Sequence, residues 1–534
     1  MNRFSVHYLI FSDKITRVIQ FILVFLAHSR QYRCNQLELM NKSITKIGII
    51  QTAPLPGDFS NNLRAIVQEY RNCLDHGAEI VIAPAPALCG LEPQSLVTRR
   101  SFINQTRGAL EALSRELGDA PLILAAYTLM VSDDELYVGM VGEDDEIQDP
   151  WMEHDRSIVL TPYLLEKDCV TMLDSGGTVD INGSTFYTDT NDAEILPEST
   201  PDFMVRMPCT AWYGGAARDD EETRSWEASM TGSIVICCRP VGTAQGNIYG
   251  GGSAVYSGEG KTLLRLPYFE TASKVVDITR APISRNRPEE EELMCSALER
   301  GIRDSVRNNG FTGVCIPMEH ENAALLGALC VEALGTSNVY GISFSPENEL
   351  AGKLGINHVY LNGEELSRAA QAAMGGENNK ALQERLHTAL AMTHAESRGL
   401  MLCSPLGRRQ IMLGDFSIYG LAGGHLAPLG NLYDVDLYLL SQHFSEKYND
   451  LFAAMTEPPH GTTNRIIHEL ADRNTPPSEL LHAEHNYMFK ENDVRLIQRK
   501  LLASGLKRTQ LPIILHADAP DEQLSFPISH RLND

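Results

Sequence analysis

The sequence predicts an α/β protein built from two consecutive units. Three observations predict it. The 534 residues exceed the roughly 150 of a typical domain. Short apolar runs alternate with amphipathic helical stretches. A stretch with two prolines and no apolar periodicity, APISRNRP (281–288), separates one such series from the next.

In the first unit, IGIIQTA (47–53) forms a buried strand and residues 54–57 a turn. A helix follows with Ser60 as N-cap and Leu63, Ile66, Val67, Tyr70 and Leu74 on one face. EIVIA (79–83) is the next strand, residues 107–117 a helix and LILAAYT (122–128) a third strand. Between residues 131 and 230 the periodicity fades, and the acidic run GEDDE (142–146) reads as a solvated loop. Strands resume at 233–238, at 253–256 behind Gly250, Gly251 and Gly252, and at 274–278. The boundary falls at residues 281–290, read as a linker. Glu289 to Glu292 then form the acidic first turn of a helix that reaches Asn308. A strand at 313–316, a helix at 321–334, a strand at 339–343 and helices flanking Gly375 and Gly376 complete a βαβα order. That order predicts a parallel sheet with functional loops at the carboxyl ends of its strands. No repeat of fixed period is present.

Forty-five basic against 69 acidic residues leave a formal charge of −24. This disfavours nucleic acid and anionic membranes as partners, because a polyanion is repelled at long range. The 11 cysteines are odd in number and contain no C-x-x-C pair, which predicts a reducing, cytoplasmic setting without a disulfide framework. VIQFILVFLA (18–27) is ten residues long, too short for the roughly 20 that span a bilayer. The small-residue cleavage site of a signal peptide is also poorly formed, so Met40 is read as the effective start and residues 1–39 as an upstream extension outside the fold. His482, Glu484 and His485, and His320 between Glu319 and Glu321, hint at metal ligation. Neither group has a third ligand at a diagnostic spacing, so no metal is expected.

Several stretches, in collinear order, resemble the glutamine-dependent NAD+ synthetase family from about Ile47 to Leu532. They are Gly57-Asp58-Phe59, APAPALCGLEP (83–93) and IYGGGSAVYSGEGKTL (248–263) in the first unit. In the second they are ALERGIRDSVRNNGF (297–311), YGLAGGHLAPLGNLYDVDLYLL (419–440), TPPSEL (475–480) and LKRTQLP (506–512). The resemblance implies a nitrilase-like α-β-β-α sandwich over residues 40–280. A doubly wound parallel-sheet NAD synthase domain, adenine nucleotide alpha hydrolase-like, would occupy residues 291–534. It further implies glutamine hydrolysis in the first domain, and in the second adenylation and amination of deamido-NAD with ATP and Mg2+.

Residue by residue, the resemblance places different chemistry at the sites. The glutaminase needs a Cys nucleophile, a Glu base and an oxyanion-stabilising Lys. Ala85 stands at the base position, Tyr187 at the nucleophile position, and no lysine occurs in residues 157–163, the nearest downstream being Lys167. Cys209, and Cys169 near Lys167, are the thiols from which a substitute nucleophile is conceivable, but a lone Cys in a globular interior is more often an inert packing residue. Gly183 and Asp189 keep the pattern. The phosphate loop reads Pro317, Met318, Glu319, His320, Glu321, Asn322, so a proline removes an N–H and two carboxylates face a polyanion. Gln410 replaces a metal-binding Glu and Asp434 a Lys, while Lys507 and Arg508 retain a basic pair as residual ligand contacts. The expectation is a non-catalytic regulatory, structural or metabolite-binding paralogue without an assured cofactor. The competing expectation is a still-active NAD+ synthetase or ammonia-dependent ligase with divergent motifs. Family resemblance also implies a homo-oligomer, or a hetero-oligomer with an active synthetase, and a nucleotide-like small molecule as ligand.

Overall fold

The computed structural model describes residues 44–131, 156–191, 196–282, 287–376, 379–420, 423–445, 447–452, 460–482 and 489–517. The extension at 1–39, the acidic run at 142–146, part of the linker, and Glu484 and His485 lie outside them.

The first half contains two six-stranded sheets. One runs in the order β14 (Ala272–Asp277), β1 (Lys46–Gln51), β2 (Ile80–Ile82), β3 (Leu122–Val131), β4 (Arg156–Glu166) and β5 (Cys169–Met172). The other runs β13 (Thr262–Arg265), β12 (Ala254–Tyr256), β9 (Ile234–Cys237), β8 (Phe203–Arg206), β7 (Ser184–Asp189) and β6 (Gly177–Ile181). In each sheet the three strands β1, β2, β3 or β7, β8, β9 are parallel, and antiparallel strands complete the edges. The central strands read as continuous apolar runs because both of their faces are covered. Ile47, Ile80, Ile123, Phe186, Phe203, Ile236 and Val255 fill the space between the sheets.

Helices α1 (Phe59–Asp75) and α2 (Arg100–Glu116) cover the outer face of the first sheet. Asp58, not Ser60, caps α1, its Oδ1 accepting the Asn61 N–H at 3.3 Å. Helix α2 starts seven residues earlier than its apolar periodicity suggests. Thr106 lies in its buried face and returns its hydroxyl to Phe102 O at 3.0 Å, so a polar residue interrupts the stripe without costing burial. Helix α3 (Ala216–Thr231) covers the second sheet, giving the layers α-β-β-α. Its buried residues include Arg224 and Glu227, which is why no apolar stripe marks it in the sequence.

The second half holds a four-stranded parallel sheet in the order β17 (Asn357–Tyr360), β16 (Val339–Ser343), β15 (Gly313–Pro317), β18 (Leu400–Leu402). Helices α4 (Glu290–Asn308) and α5 (Ala323–Leu334) pack on one side and α6 (Lys380–Ser397) on the other. Helix α5 begins two residues later than expected, which leaves residues 318–322 as a turn beyond β15.

The halves share a core. Trp212, Ile248 and Phe269 of the first half pack with Leu298 and Ile302 of α4 and with Leu515. The hairpin of β10 (Val241–Ala244) and β11 (Asn247–Gly250) carries Ile248 into that core. Its turn is held by the N–H of His516, which donates to Gly246 O at 2.9 Å. A short parallel pair, β19 (Leu426–Ala427) and β20 (Ile513–Ile514), brings the chain's last described strand to this place. Among the described residues no helix is long and apolar enough to cross a membrane.

Candidate functional site

Strand geometry decides where the residues of the first half point. On β7, Phe186 faces the interior between the sheets, where Ala85 is also buried. Successive side chains alternate, so Tyr187 faces the opposite way and packs under α3 with Met204, Ala228, Val235 and Tyr256. Ala85 and Tyr187 are therefore not brought together. The Tyr187 ring lies 5.2 Å from the Arg206 guanidinium, and burial raises its phenol above the ordinary range while Arg206 opposes the rise. Residues 157–163 belong to β4, which pairs with β3 along its length. Lys167 and Cys169 lie exposed at the turn between β4 and β5. Gly183 occupies the turn joining β6 to β7, and Asp189 pairs with Arg206.

Cys209 lies beyond β8, at the carboxyl end of the parallel strands. Its surroundings include a carboxylate and a guanidinium. Burial pushes the thiol up to about 12, with Glu92 adding to the rise and Arg239 opposing it. Glu92 in turn accepts hydrogen bonds from Asn247 Nδ2 at 2.7 Å and Tyr249 OH at 2.6 Å. A thiol held neutral at physiological pH is a poor nucleophile.

A buried charge network at α3 escaped sequence reasoning. Arg206 pairs with Asp189 at 2.5 Å and Glu227 at 2.9 Å, and Glu227 also accepts from Arg224 at 2.7 Å. Asp220 links Arg224 to Arg239, its carboxyl held low because the Arg239 and Arg224 guanidinium groups outweigh its burial. The only signal available was an arginine ending the apolar strand FMVR.

In the second half, Pro317 ends β15 and the following turn meets the carboxyl ends of β16 and β18. Met318 is buried, its N–H donating to Ile342 O at 2.9 Å. The Glu319 carboxylate accepts the Phe344 N–H at 2.5 Å. The N–H of Asn322 donates to His320 Nδ1 at 3.1 Å, and its side chain to Pro405 O at 2.9 Å. Glu321 accepts from Gln410 Nε2 at 2.7 Å and Arg409 Nη2 at 3.3 Å, while Arg409 Nε also donates to Asp434 at 2.7 Å. Thus Glu319, His320, Glu321, Asn322, Gln410 and Asp434 converge on one turn. Beside it lies a cavity of about 410 Å³ whose lining includes Glu319, His320, Phe344, Glu384, His387 and Asp415. Phe344 and His387 stack with centroids 3.6 Å apart. Burial raises the Glu319 carboxyl above its usual range, the Phe344 N–H opposing it. Burial also lowers His320, against the pull of Glu321.

Lys507 and Arg508 are committed elsewhere. Lys507 Nζ donates to Gly414 O at 2.5 Å and Phe416 O at 2.7 Å, and Arg508 donates to Leu501 O at 3.0 Å and Met412 O at 3.3 Å. Both therefore serve the carbonyl-rich ends of helices. Neither lines the cavity.

Helix α7 (Arg408–Leu413) opens on Arg408, which is buried and bonded to Asn431 and Asp472. Asp472 also accepts from Tyr433 OH at 2.7 Å and lies 2.9 Å from His468 Nδ1. The Asp472 carboxyl is held low because the bonds from His468, Arg408 and Tyr433 outweigh its burial, and His468 is raised by its hydrogen bond to Asp472 against burial. The Asp472 contribution is complete above its unfolded pKa, about 4, and is lost as pH falls through the lower folded value. The His468 contribution is complete below about 6.5 and is lost as pH rises through the higher folded value. Stability from this cluster is therefore greatest between about pH 4 and 6.5. Asp472→Asn is expected to flatten that part of the pH profile in urea unfolding; an unchanged profile would refute the assignment.

A family model described as NAD synthase matches residues 294–449. The glutamine-dependent NAD+ synthetase of Synechocystis sp. is 22% identical over 87% of this chain and 96% of its own length. That of Thermotoga maritima is 22% identical over 75% and 81%. Across both halves the chain is similar to glutamine-dependent NAD+ synthetases. Solved synthetases of this kind show the same fold across both halves. The synthetase from Cytophaga hutchinsonii superposes with a TM-score of 0.76 at 12% identity, covering 91% of this chain and 98% of its own. That from Acinetobacter baumannii, solved in complex with ADP, superposes with a TM-score of 0.66 at 15% identity, covering 90% and 96%. The first half thus has the nitrilase-like sandwich fold and the second, matched by the NAD synthase model, a doubly wound parallel sheet.

Proposed function

We propose that this chain is a non-catalytic member of the glutamine-dependent NAD+ synthetase family, a cytoplasmic regulatory or structural partner of an active synthetase. One observation carries the reading: β7 turns Tyr187 away from the interior that holds Ala85, so the positions expected to supply nucleophile and base face different compartments. Neither a methyl group nor a buried phenol replaces the missing chemistry, and losing one member of a catalytic unit costs orders of magnitude. The second half supports the same reading. ATP with Mg2+ does not fit the turn after β15, where Glu319 and Glu321 already hold the nearby donors and Asp434 is paired with Arg409. Assembly with an active synthetase, or with further copies of this chain, is the role left to the retained scaffold.

The test is calorimetric and thermal-shift titration of the full chain with ATP–Mg2+, deamido-NAD, NAD and glutamine, alongside assays of glutamate release and ammonia-dependent NAD formation. The expected result is a cooperatively folded protein that releases no glutamate and makes no NAD. Saturable ATP binding with ammonia-dependent NAD formation would overturn the reading in favour of an active ligase. Co-purification with an active synthetase, and a change in that enzyme's rate on adding this chain, would identify the regulatory role.

A further inference from the structure

The turn after β15 keeps a set of hydrogen-bond donors while supplying its own acceptors. The Phe344 N–H ends on Glu319, the Asn322 N–H on His320, and the Gln410 amide and Arg409 guanidinium on Glu321. Backbone N–H groups at a strand-to-helix turn, together with a guanidinium, are what an anion with several oxygens ordinarily meets. Here carboxylate oxygens on residues 319 and 321 stand where such oxygens would be. Each is held by side-chain-to-backbone or side-chain-to-side-chain bonds reaching across 25 or more residues, to β16 and α7.

We propose that Glu319 and Glu321 are built-in anionic ligands: they saturate the donors of this turn and close it to phosphate-bearing molecules. The inference rests on the reading of the second half given above. The two carboxylates act in different ways. Glu319 ties the turn to the end of β16, while Glu321 ties it to α7 and shares the charge of Arg409 with Asp434 and Asp415. Removing both side chains vacates the Phe344 N–H and one edge of the Arg409 guanidinium, leaves the Gln410 amide only its 3.2 Å contact with His320 Nε2, and takes two negative charges from the mouth of the cavity. A latent site for a phosphate or pyrophosphate group is thereby uncovered.

The experiment is calorimetric titration of the full chain with inorganic pyrophosphate at low ionic strength, comparing the native sequence with the double variant Glu319→Ala, Glu321→Ala. The native protein is expected to show no saturable binding and the double variant at least tenfold tighter binding. The variant Glu319→Gln, Glu321→Gln keeps the acceptors but not the charge and is expected to fall between them. Equal binding by native protein and double variant overturns the inference. If both fail to bind, the proposed non-catalytic function still stands; if both bind, and the native chain also makes NAD, that reading falls as well. Should the double variant not fold, amide exchange in Glu319→Ala decides: the Phe344 N–H is expected to exchange at least tenfold faster, and unchanged protection refutes the role of Glu319.

Discussion

Arg206→Met is expected to lower the unfolding free energy by about 3–5 kcal/mol, among the largest effects of any single substitution in the first half. Arg206 is fully buried at the end of β8, and its guanidinium is the bridge between Asp189 of β7 and Glu227 of α3. Removing it leaves two carboxylates inside the protein. Among the described residues, Asp189 would retain the Ser175 hydroxyl at 3.0 Å and the Asn191 N–H at 2.9 Å, and Glu227 the Arg224 guanidinium. The loss reflects stranded charge rather than lost volume, since methionine fills much of the same space. Arg206→Met combined with Asp189→Asn and Glu227→Gln is therefore expected to recover part of it, as a buried ion cluster replaced entirely by neutral groups often costs little. Urea unfolding of the single and triple variants checks this, and equal stability of the two would rule out stranded charge as the cause.

Gly246→Ala is expected to cost about 3 kcal/mol or more, with the damage at the junction of the two halves. Gly246 has φ of +89°, and a Cβ there would stand 2.2 Å from the Ile514 carbonyl oxygen. The obstruction is backbone, so no side-chain rotation relieves it. Either the β10–β11 turn or the strand at 513–514 must shift, breaking the bond from His516 to Gly246. Gly57→Ala is the matched control: its φ is +74°, yet nothing lies within 4 Å of the added methyl. That variant bears only the conformational cost of about 1 kcal/mol. Thermal unfolding should show a large fall for the first and a small one for the second, and a separation of the transition into two phases for Gly246→Ala if the junction parts before the halves unfold.

The elements legible in the sequence are those whose environment is simple. Helix α1 shows its stripe of Ile66, Val67 and Tyr70 because its buried face is almost wholly apolar, and β1, β9 and β15 show as runs because both their faces are covered. Helix α3 was hidden because Arg224 and Glu227 are buried by pairing with each other and with Arg206, an arrangement that reads as a solvated face until the third partner is known. Of the candidate site, the turn at 317–322 and its neighbours Gln410 and Asp434 were placed by family resemblance alone, since no periodicity relates residues so far apart. What could not be read was direction. The one-residue offset that puts Phe186 inward and Tyr187 outward depends on strand register, and the commitment of Lys507 and Arg508 to helix-end carbonyls depends on where α7 stops.

Glu92 grips Asn247 and Tyr249, their hairpin grips Ile248 into the common core, and His516 grips the hairpin's turn. This is a mechanical linkage from a loop at the top of the first sheet to a strand that the ribosome makes more than 400 residues later. While the chain emerges, the first half is complete to β14 before residues 513–516 exist, so its hairpin is held at first by Glu92, Thr52 and Trp212 and gains the bond from His516 last. The carboxyl-terminal strand thus adds the last tie to a hairpin that the amino-terminal half already holds.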